Sequence, residues 1–267
     1  MRAGLLGAGH IARALAEGWH RAAASPEGAP ARPELFVYDP VTERAAALGA
    51  DFGARVCASP AELAGACDVV VLAMRPDDVA AALAALRPAL GETAVVSVAA
   101  AVPLATLLAG LPTGARVARV MPNVAAAVGQ GVFLFVAGTL SGRQAVEVAG
   151  LFERAGMVVE VTEDEFDAAT AVAGCGPGFT ALFVEALAEA GAASGLDAAL
   201  ARRLAVGGVA GAAALLARDG DPVAMRVAIA TPGGMTAAGV DVLETSDLRG
   251  ALTAAVAAAV ARARGTR

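Results

Sequence analysis

The chain of 267 residues predicts an α/β fold, an N-terminal doubly wound parallel sheet followed by an all-α C-terminal domain. Three observations carry this. Short, unbroken apolar runs alternate with helical patterns through the first part of the chain, as strands buried on both faces do. The first of these runs, Ala3–Leu6, breaks into Gly7-Ala8-Gly9 and resumes with apolar residues at helical spacing. Beyond Glu163 no strand-like run occurs, only helical segments. The expected division is therefore 1–162 for the α/β domain and 163–267 for the helical one.

The opening segment sets the theme of the first domain. Gly7, Gly9 and Ala12 form G-x-G-x-x-A between a strand and a helix, the Rossmann dinucleotide pattern with its third glycine relaxed to alanine. Glycines allow a tight turn and close backbone approach, and a pyrophosphate can rest on free N–H groups at the positive end of a helix. The bland alternative is an ordinary strand–helix turn. A Pro/Gly/Ala-rich loop, Ser25–Pro33, leads to a second strand, Leu35–Tyr38, ending at Asp39-Pro40. An acidic residue there hydrogen-bonds the adenine ribose and repels a 2′-phosphate. Asp39 thus leans toward NADH, although Thr42 and Arg44 just beyond it can still receive a phosphate; the bland alternative is a turn or cap residue before Pro40.

Ser59-Pro60-Ala61-Glu62 reads as a capping box and helix start. Strands follow at Val69–Ala73, Ala94–Val98 and Arg116–Val120, leading respectively into Met74-Arg75-Pro76, a helix begun at Pro103, and Met121-Pro122-Asn123. Gly131–Val136 and Met157–Val161 read as strands around a helix begun at Ser141. Helices are then expected over Glu163–Ala173, Pro177–Ser194, Ala198–Ala217, Pro222–Ala230, Ala237–Glu244 and Leu248–Arg264. The stretch Leu204–Ala217 is apolar on every face and must be buried, and Gly207, Gly208 and Gly211 permit close helix contact. So small a domain completes its core from a partner subunit, which predicts at least an intertwined dimer.

Net charge −6 and a pI near 5.0 argue against nucleic acid and an anionic membrane surface as partners. Cys57, Cys67 and Cys175 show no zinc spacing and suit a reducing compartment. Two histidines, His10 and His20, are too few for a histidine metal site. Thr93–Ala115 and Val120–Gly142 are uncharged and long enough to span a bilayer, but Pro and Gly interrupt both, so they read as buried α/β segments. No signal peptide is read at the N-terminus, and a cytoplasmic location is expected.

Elimination narrows the chemistry. All twenty basic residues are Arg, and the single Tyr, Tyr38, lies inside a strand. A Tyr–Lys proton-donor pair and an active-site Lys are both ruled out, and both histidines fall in the first helix. Carbonyl reduction needs a proton delivered to the developing alkoxide. Hydride addition to a protonated imine gives a neutral amine and needs none, so the composition points to C=N, with an Asp, Glu or water relay to a ketone as the alternative. Two stretches in the helical half offer backbone N–H groups: Ala173-Gly174-Cys175-Gly176-Pro177-Gly178-Phe179, expected to open a long helix, and Thr231-Pro232-Gly233-Gly234-Met235-Thr236 between two helices. Such a nest suits a carboxylate, and an ordinary helix–helix turn is the alternative.

Spaced motifs in order give the chain a resemblance over nearly its whole length to the pyrroline-5-carboxylate reductase family. They are Gly7-Ala8-Gly9, Val71–Pro76, Val96–Ala100, Arg119–Asn123, Gly174-x-Gly176-Pro177, Thr231–Thr236 and Leu248-Arg249-Gly250-Ala251. The resemblance implies reduction of a cyclic imino acid to proline with NAD(P)H, usually NADPH, by interlocked dimers that often form decamers. It implies that Gly7, Ala8, Gly9, His10, Ile11 and Ala12 serve the cofactor phosphates, that Ala73, Met74, Arg75 and Pro76 border the cofactor, and that Asn123 lies near the nicotinamide. Thr236 would meet the substrate nitrogen, with Thr231, Gly233, Gly234, Met235 and Cys175 as further substrate contacts at a site completed by the dimer. Departures stand out: Ala173, Cys175 and Phe179 replace the family's Ser, Ser and Tyr, and Val124-Ala125 replaces Thr-Pro. The lost hydroxyls leave room for another cyclic imine, such as piperideine carboxylate, or for a nucleotide-binding protein without turnover.

Overall fold

Strands of Val, Leu and Ala with no polar alternation must be covered on both faces, and the computed structural model, which describes residues 1–22 and 32–265, supplies that cover. Eight strands form one sheet: β1 (Arg2–Leu6), β2 (Glu34–Tyr38), β3 (Arg55–Val56), β4 (Val69–Leu72), β5 (Ala94–Ser97), β6 (Val117–Met121), β7 (Gly131–Val136) and β8 (Gly156–Glu160), in the order β3-β2-β1-β4-β5-β6-β7-β8. The edge strand β3, two exposed residues long, is too short to show a hydrophobic pattern. Of the predicted Ser25–Pro33 loop, all but Arg32 and Pro33 lies outside the described residues.

Helices α1 (His10–Ala22), α2 (Thr42–Phe52), α3 (Pro60–Ala66), α4 (Pro76–Leu86), α5 (Leu104–Ala109) and α6 (Gly142–Glu153) connect the strands. One apolar cluster holds Leu5, Val37, Val71 and Val96 against Trp19 and Phe152, whose rings meet edge-on at 6.3 Å. The other packs Leu6, Val70, Leu72 and Val95 against Leu63, Leu83 and Leu107. The predicted cap of α3 is present in modified form: Ser59 Oγ accepts from Glu62 N at 3.1 Å, while the Glu62 carboxylate reaches one residue further than expected, to Ala58 N at 2.7 Å.

The sheet is not parallel throughout. β7 runs antiparallel to β6, and β8 runs parallel to β7. The reason is length: the Pro122–Gln130 connection holds one turn of 3₁₀ helix (Val124–Val128), and a parallel crossover needs about a dozen residues or more. The uncharged stretches Thr93–Ala115 and Val120–Gly142 contribute β5, α5, β6 and β7 instead of single long helices. By length and composition alone, Phe166–Ala193 and Ala198–Asp219 are the two helices in the described residues able to cross a membrane.

The chain divides into two compact units, residues 1–175 with 259–267, and residues 176–258. In the first, α7 (Phe166–Ala169) continues through a π turn, Thr170–Gly174. In the second, α8 (Gly176–Ala193) packs on α9 (Ala198–Asp219), followed by α10 (Pro222–Ile229), α11 (Met235–Thr245) and most of α12 (Leu248–Gly265). Asp197 caps α9 by accepting from Ala199 N and Leu200 N, and Asp221 does the same for α10. The expectation that Leu204–Ala217 is buried is not met within this unit. Only Ala201 and Ala205 of α9 are buried, while Leu204 is 56% and Val206 52% exposed, because α8 is the main cover α9 has here.

Candidate active site

The strand order reverses between β1 and β4, and in open α/β sheets ligands bind outside the carboxyl ends of the strands at such a point. Gly7 leaves β1 there with φ +100°, and a Cβ on it would stand 2.4 Å from Ala73 O at the end of β4, so only glycine fits. Gly7 N donates to Tyr38 O and Ala73 N to Leu6 O, each at 2.8 Å, which ties the ends of β1, β2 and β4 together. A Cβ at Gly9 would meet nothing within 4 Å, so the loop faces open space where a ligand can approach the backbone. Ala12 is fully buried under α1, the close-packing role of the third small residue. His10 begins α1, and the first helical N–H groups have no acceptor within the helix. A pyrophosphate fits this cradle.

Asp39 serves the same loop. Its Oδ2 accepts from Ala8 N at 2.7 Å and its Oδ1 from Val41 N at 2.8 Å. Across the rim, Arg75 precedes Pro76 at the start of α4 and is 81% exposed, with Nε donating to Asp78 at 3.3 Å. Met74 and Ala73 are half-buried beside it. Beyond β5, Ser97 Oγ accepts from Ala99 N, and Ala101 holds a left-handed backbone with φ 59°. Asn123, buried at the end of β6, donates from Nδ2 to Ala173 O at 3.1 Å and accepts Ala125 N and Val132 N on Oδ1. The structure thus gathers the expected cofactor residues of this unit at one edge of one sheet.

Two features of the edge were not anticipated. Arg119 is buried: Nη1 donates to Glu163 Oε1 at 2.6 Å, and its guanidinium lies 3.9 Å from the Phe166 ring centre. The same oxygen accepts Leu104 N at 3.0 Å, joining β6, α5 and the segment before α7. The signal in the sequence was one Arg within an apolar strand, where a charge survives only when paired. The second concerns Ala173–Phe179, expected to open a long helix with free N–H groups. The chain is already helical from Phe166, and Cys175 N donates back to Thr170 O at 3.2 Å across the π turn. Gly174 falls in that wider turn, while Gly176, Pro177 and Gly178 begin α8 as expected.

Cys175 is partly exposed, whereas Cys57 and Cys67 are buried, and burial pushes the Cys67 thiol up to about 12, which removes it as a nucleophile at neutral pH. His10 and His20 are exposed, the latter edge-on to Phe52 at 5.9 Å. Among the described residues no cluster of His, Cys, Asp and Glu suits a metal ion. At the opposite, amino-terminal edge of the sheet lies a separate groove of about 480 Å³, where Arg2 and Arg116 are already paired with Asp68 and Glu92.

The second unit holds the other candidate loop. Gly233 has φ +75°, Gly234 N donates to Thr231 O at 2.9 Å, and a Cβ on Gly234 would stand 2.8 Å from Thr231 Oγ1. Met235 and Thr236 form the first turn of α11, two residues earlier than the sequence suggests, so their N–H groups belong to a helix N-terminus. Met235 is 94% exposed, and Thr231 and Thr236 are exposed beside it. Gly234 N is spent inside the turn, so the N–H groups at the start of α11 and the two hydroxyls are what can hold a carboxylate and a polar hydrogen.

Residues 163–266 match the family model described as pyrroline-5-carboxylate reductase dimerisation, and residues 2–101 the one described as NADP oxidoreductase coenzyme F420-dependent. The chain is 35% identical to the pyrroline-5-carboxylate reductase of Synechocystis sp. over 97% of its length and 96% of that protein's. It is 36% identical to that of Mycobacterium leprae, covering 98% and 95%. Among solved structures, the pyrroline-5-carboxylate reductase of Coxiella burnetii superposes with a TM-score of 0.90 at 28% identity over 99% of this chain and 97% of that one. The pyrroline carboxylate reductase of Plasmodium falciparum, solved with NADP bound, gives 0.85 at 28% identity over the same shares. A glycine loop at the switch point, a threonine-flanked turn in the helical half and relatedness along the whole chain lead to one conclusion: the chain belongs to the pyrroline-5-carboxylate reductase family of nicotinamide-dependent oxidoreductases.

Proposed function

We propose that the protein reduces 1-pyrroline-5-carboxylate to L-proline, the last step of proline biosynthesis, using a nicotinamide dinucleotide. The observation that carries this is the whole-length relationship together with an intact, open glycine loop. When bound, the dinucleotide supplies the hydride. The residues of the chain do the rest. Gly7–Ala12 hold the pyrophosphate on backbone N–H groups, and Ala73–Pro76 with Asn123 frame the nicotinamide end. The N–H groups of Gly233 and Met235 hold the substrate carboxylate, helped by Thr231, while Gly234, expected to offer its own N–H, instead closes the turn by donating to Thr231 O. Cys175 is a further substrate contact at the site the dimer completes, and the Thr236 hydroxyl orients the substrate nitrogen. The imine arrives protonated, so hydride addition to its carbon leaves a neutral amine. The absence of Lys and the placing of Tyr38 within β2 are then no handicap.

The functional division we adopt is 1–162 for the dinucleotide and 163–267 for dimerisation and substrate, with the active unit a homodimer through the helical domain, capable of building a decamer. NADPH is the donor implied by the resemblance. Asp39 favours NADH, because two backbone amides hold its carboxylate at the end of β2 where a 2′-phosphate would come. The free thiols Cys57, Cys67 and Cys175 fit the cytoplasm. A second reading, a six-membered imine such as piperideine carboxylate as substrate, is favoured by Cys175 and Val124 standing where the family carries hydroxyls. Oxidation of NADH and NADPH with each imine tests all of this. Turnover with pyrroline-5-carboxylate is the expected result. No turnover with either imine, despite measured dinucleotide binding, would overturn the enzyme reading.

A further inference from the structure

Pro177 has no N–H, so the helical run from α7 into α8 leaves one carbonyl, that of Ala173 four residues back, without its usual donor. The π turn Thr170–Gly174 lies at the same place, and such turns recur at functional sites. Asn123 fills the gap with its Nδ2, 3.1 Å from Ala173 O. Its Oδ1 takes Ala125 N at 3.2 Å and Val132 N at 3.3 Å, and the side chain is buried. One neutral amide therefore joins three pieces: the 3₁₀ turn Val124–Val128, the start of β7 and the π turn that leads to Cys175. The first piece packs tightly on α1, since a Cβ at Gly18 would stand 2.7 Å from Ala126 O. The helix that follows the glycine loop packs on the turn Asn123 caps, and Asn123 also holds the π turn that precedes Cys175.

We infer that Asn123 is a positioning residue for hydride transfer, holding the wall beside the nicotinamide in register with the π turn. This rests on the reductase reading above. A misplacement of about 1 Å between reacting atoms costs roughly a hundredfold in rate, so loss of the clamp is read in turnover before it is read in cofactor affinity.

Asn123→Asp isolates the bond. The carboxylate still accepts Ala125 N and Val132 N but faces the Ala173 carbonyl with oxygen, and Asn123→Ala removes all three bonds. For Asn123→Asp, kcat falls by about tenfold or more, while KM for the dinucleotide stays within about threefold. The isotope effect measured with reduced dinucleotide deuterated at the transferred position rises, because hydride transfer becomes limiting. Amide hydrogen exchange quickens over 170–176 and is unchanged over 7–12. An unchanged kcat and isotope effect in the folded variant overturns the inference. So does a fall in kcat that comes with a lowered thermal midpoint and an unmoved isotope effect, since that assigns Asn123 to stability alone. If the wild-type protein turns over neither imine, the reductase reading fails by itself, and unchanged exchange over 170–176 then overturns the clamp separately.

Discussion

Strand β4 and the Leu204–Ala217 stretch of helix α9 are both apolar, and they end up in opposite surroundings. All four residues of β4 are buried, whereas α9 buries two of its twenty-two, Ala201 and Ala205. The sheet brings its own cover, with helices on both faces supplied by the same stretch of chain. The helices of the second unit leave Leu182, Phe183, Leu204, Val206, Val227 and Met235 exposed. Burying each such side chain is worth about 1.5–3 kcal/mol, so the second unit carries a large unrealised stabilisation that another subunit's matching surface can supply. The first unit is a finished core that binds a ligand; the second becomes a core on association.

The sharpest break of this contrast is a charge on α9. Leu204→Glu puts an unpaired carboxylate where the partner helix should pack, a cost of several kcal/mol, about 2–7 even for a neutral polar group. The expected outcome is a monomer in sedimentation velocity, turnover reduced to background and dinucleotide binding retained by the sheet. A Leu204→Glu protein that stays dimeric and active would remove the difference between the two regions.

Next comes the substrate turn in the second unit. Thr236→Ala is expected to cut kcat/KM by about ten- to a thousandfold, the loss of a positioned hydrogen bond worth about 1.5–4 kcal/mol. An unchanged rate would mean that the chemistry lies wholly with the first unit. The matching change in the first unit, Asp39→Ser, shifts the NADPH-to-NADH ratio of kcat/KM upward by about ten- to a hundredfold, since a fixed carboxylate near a phosphate is worth about 1–4 kcal/mol. If NADPH is already strongly preferred and the change has no effect, Asp39 is a turn residue that organises Ala8 and Val41 and nothing more.

How far the sequence could be read follows from the same contrast. Strands such as Val69–Leu72 and the loop at Gly7 are legible because their pattern answers to local rules: unbroken apolar runs for double burial, glycine where φ is positive. The start of α3 was legible from its cap, Ser59, with Pro60 behind it. Three features were not. The reversal of β7 depends on the length of the Pro122–Gln130 connection and not on any strand residue. The π turn hides behind Gly and Pro, which equally signal a helix start. The partners of Arg119 are distant in sequence, Glu163 and Phe166, so only folding shows what pays for its burial. Asp39 falls between: its position was legible, its two amide partners were not.

The smallest effects come from a matched pair, the two described non-glycine residues with positive φ, Ala101 in the first unit and Asp247 in the second. A left-handed backbone costs an L-residue about 1–2 kcal/mol, less for Asp, whose short polar side chain can bond locally. Asp247 does so, with Oδ1 accepting Gly250 N at 3.1 Å at the start of α12, and a Cβ on Gly250 would collide with that carboxylate. Asp247→Ala therefore loses a cap and gains strain, and stability is expected to fall by about 1–2 kcal/mol. Ala101 has a methyl group in place of that compensation. Ala101→Gly relieves the strain but adds about 0.4–1 kcal/mol of unfolded-chain entropy, leaving a net gain of about 0.5–1 kcal/mol. In a domain of this size that is a rise of about 1–4 °C in Tm by calorimetry. A lowered Tm would show that the loop after β5 is held by contacts the extra flexibility undoes, and that the finished core of the first unit does not extend to the edge where the ligand binds.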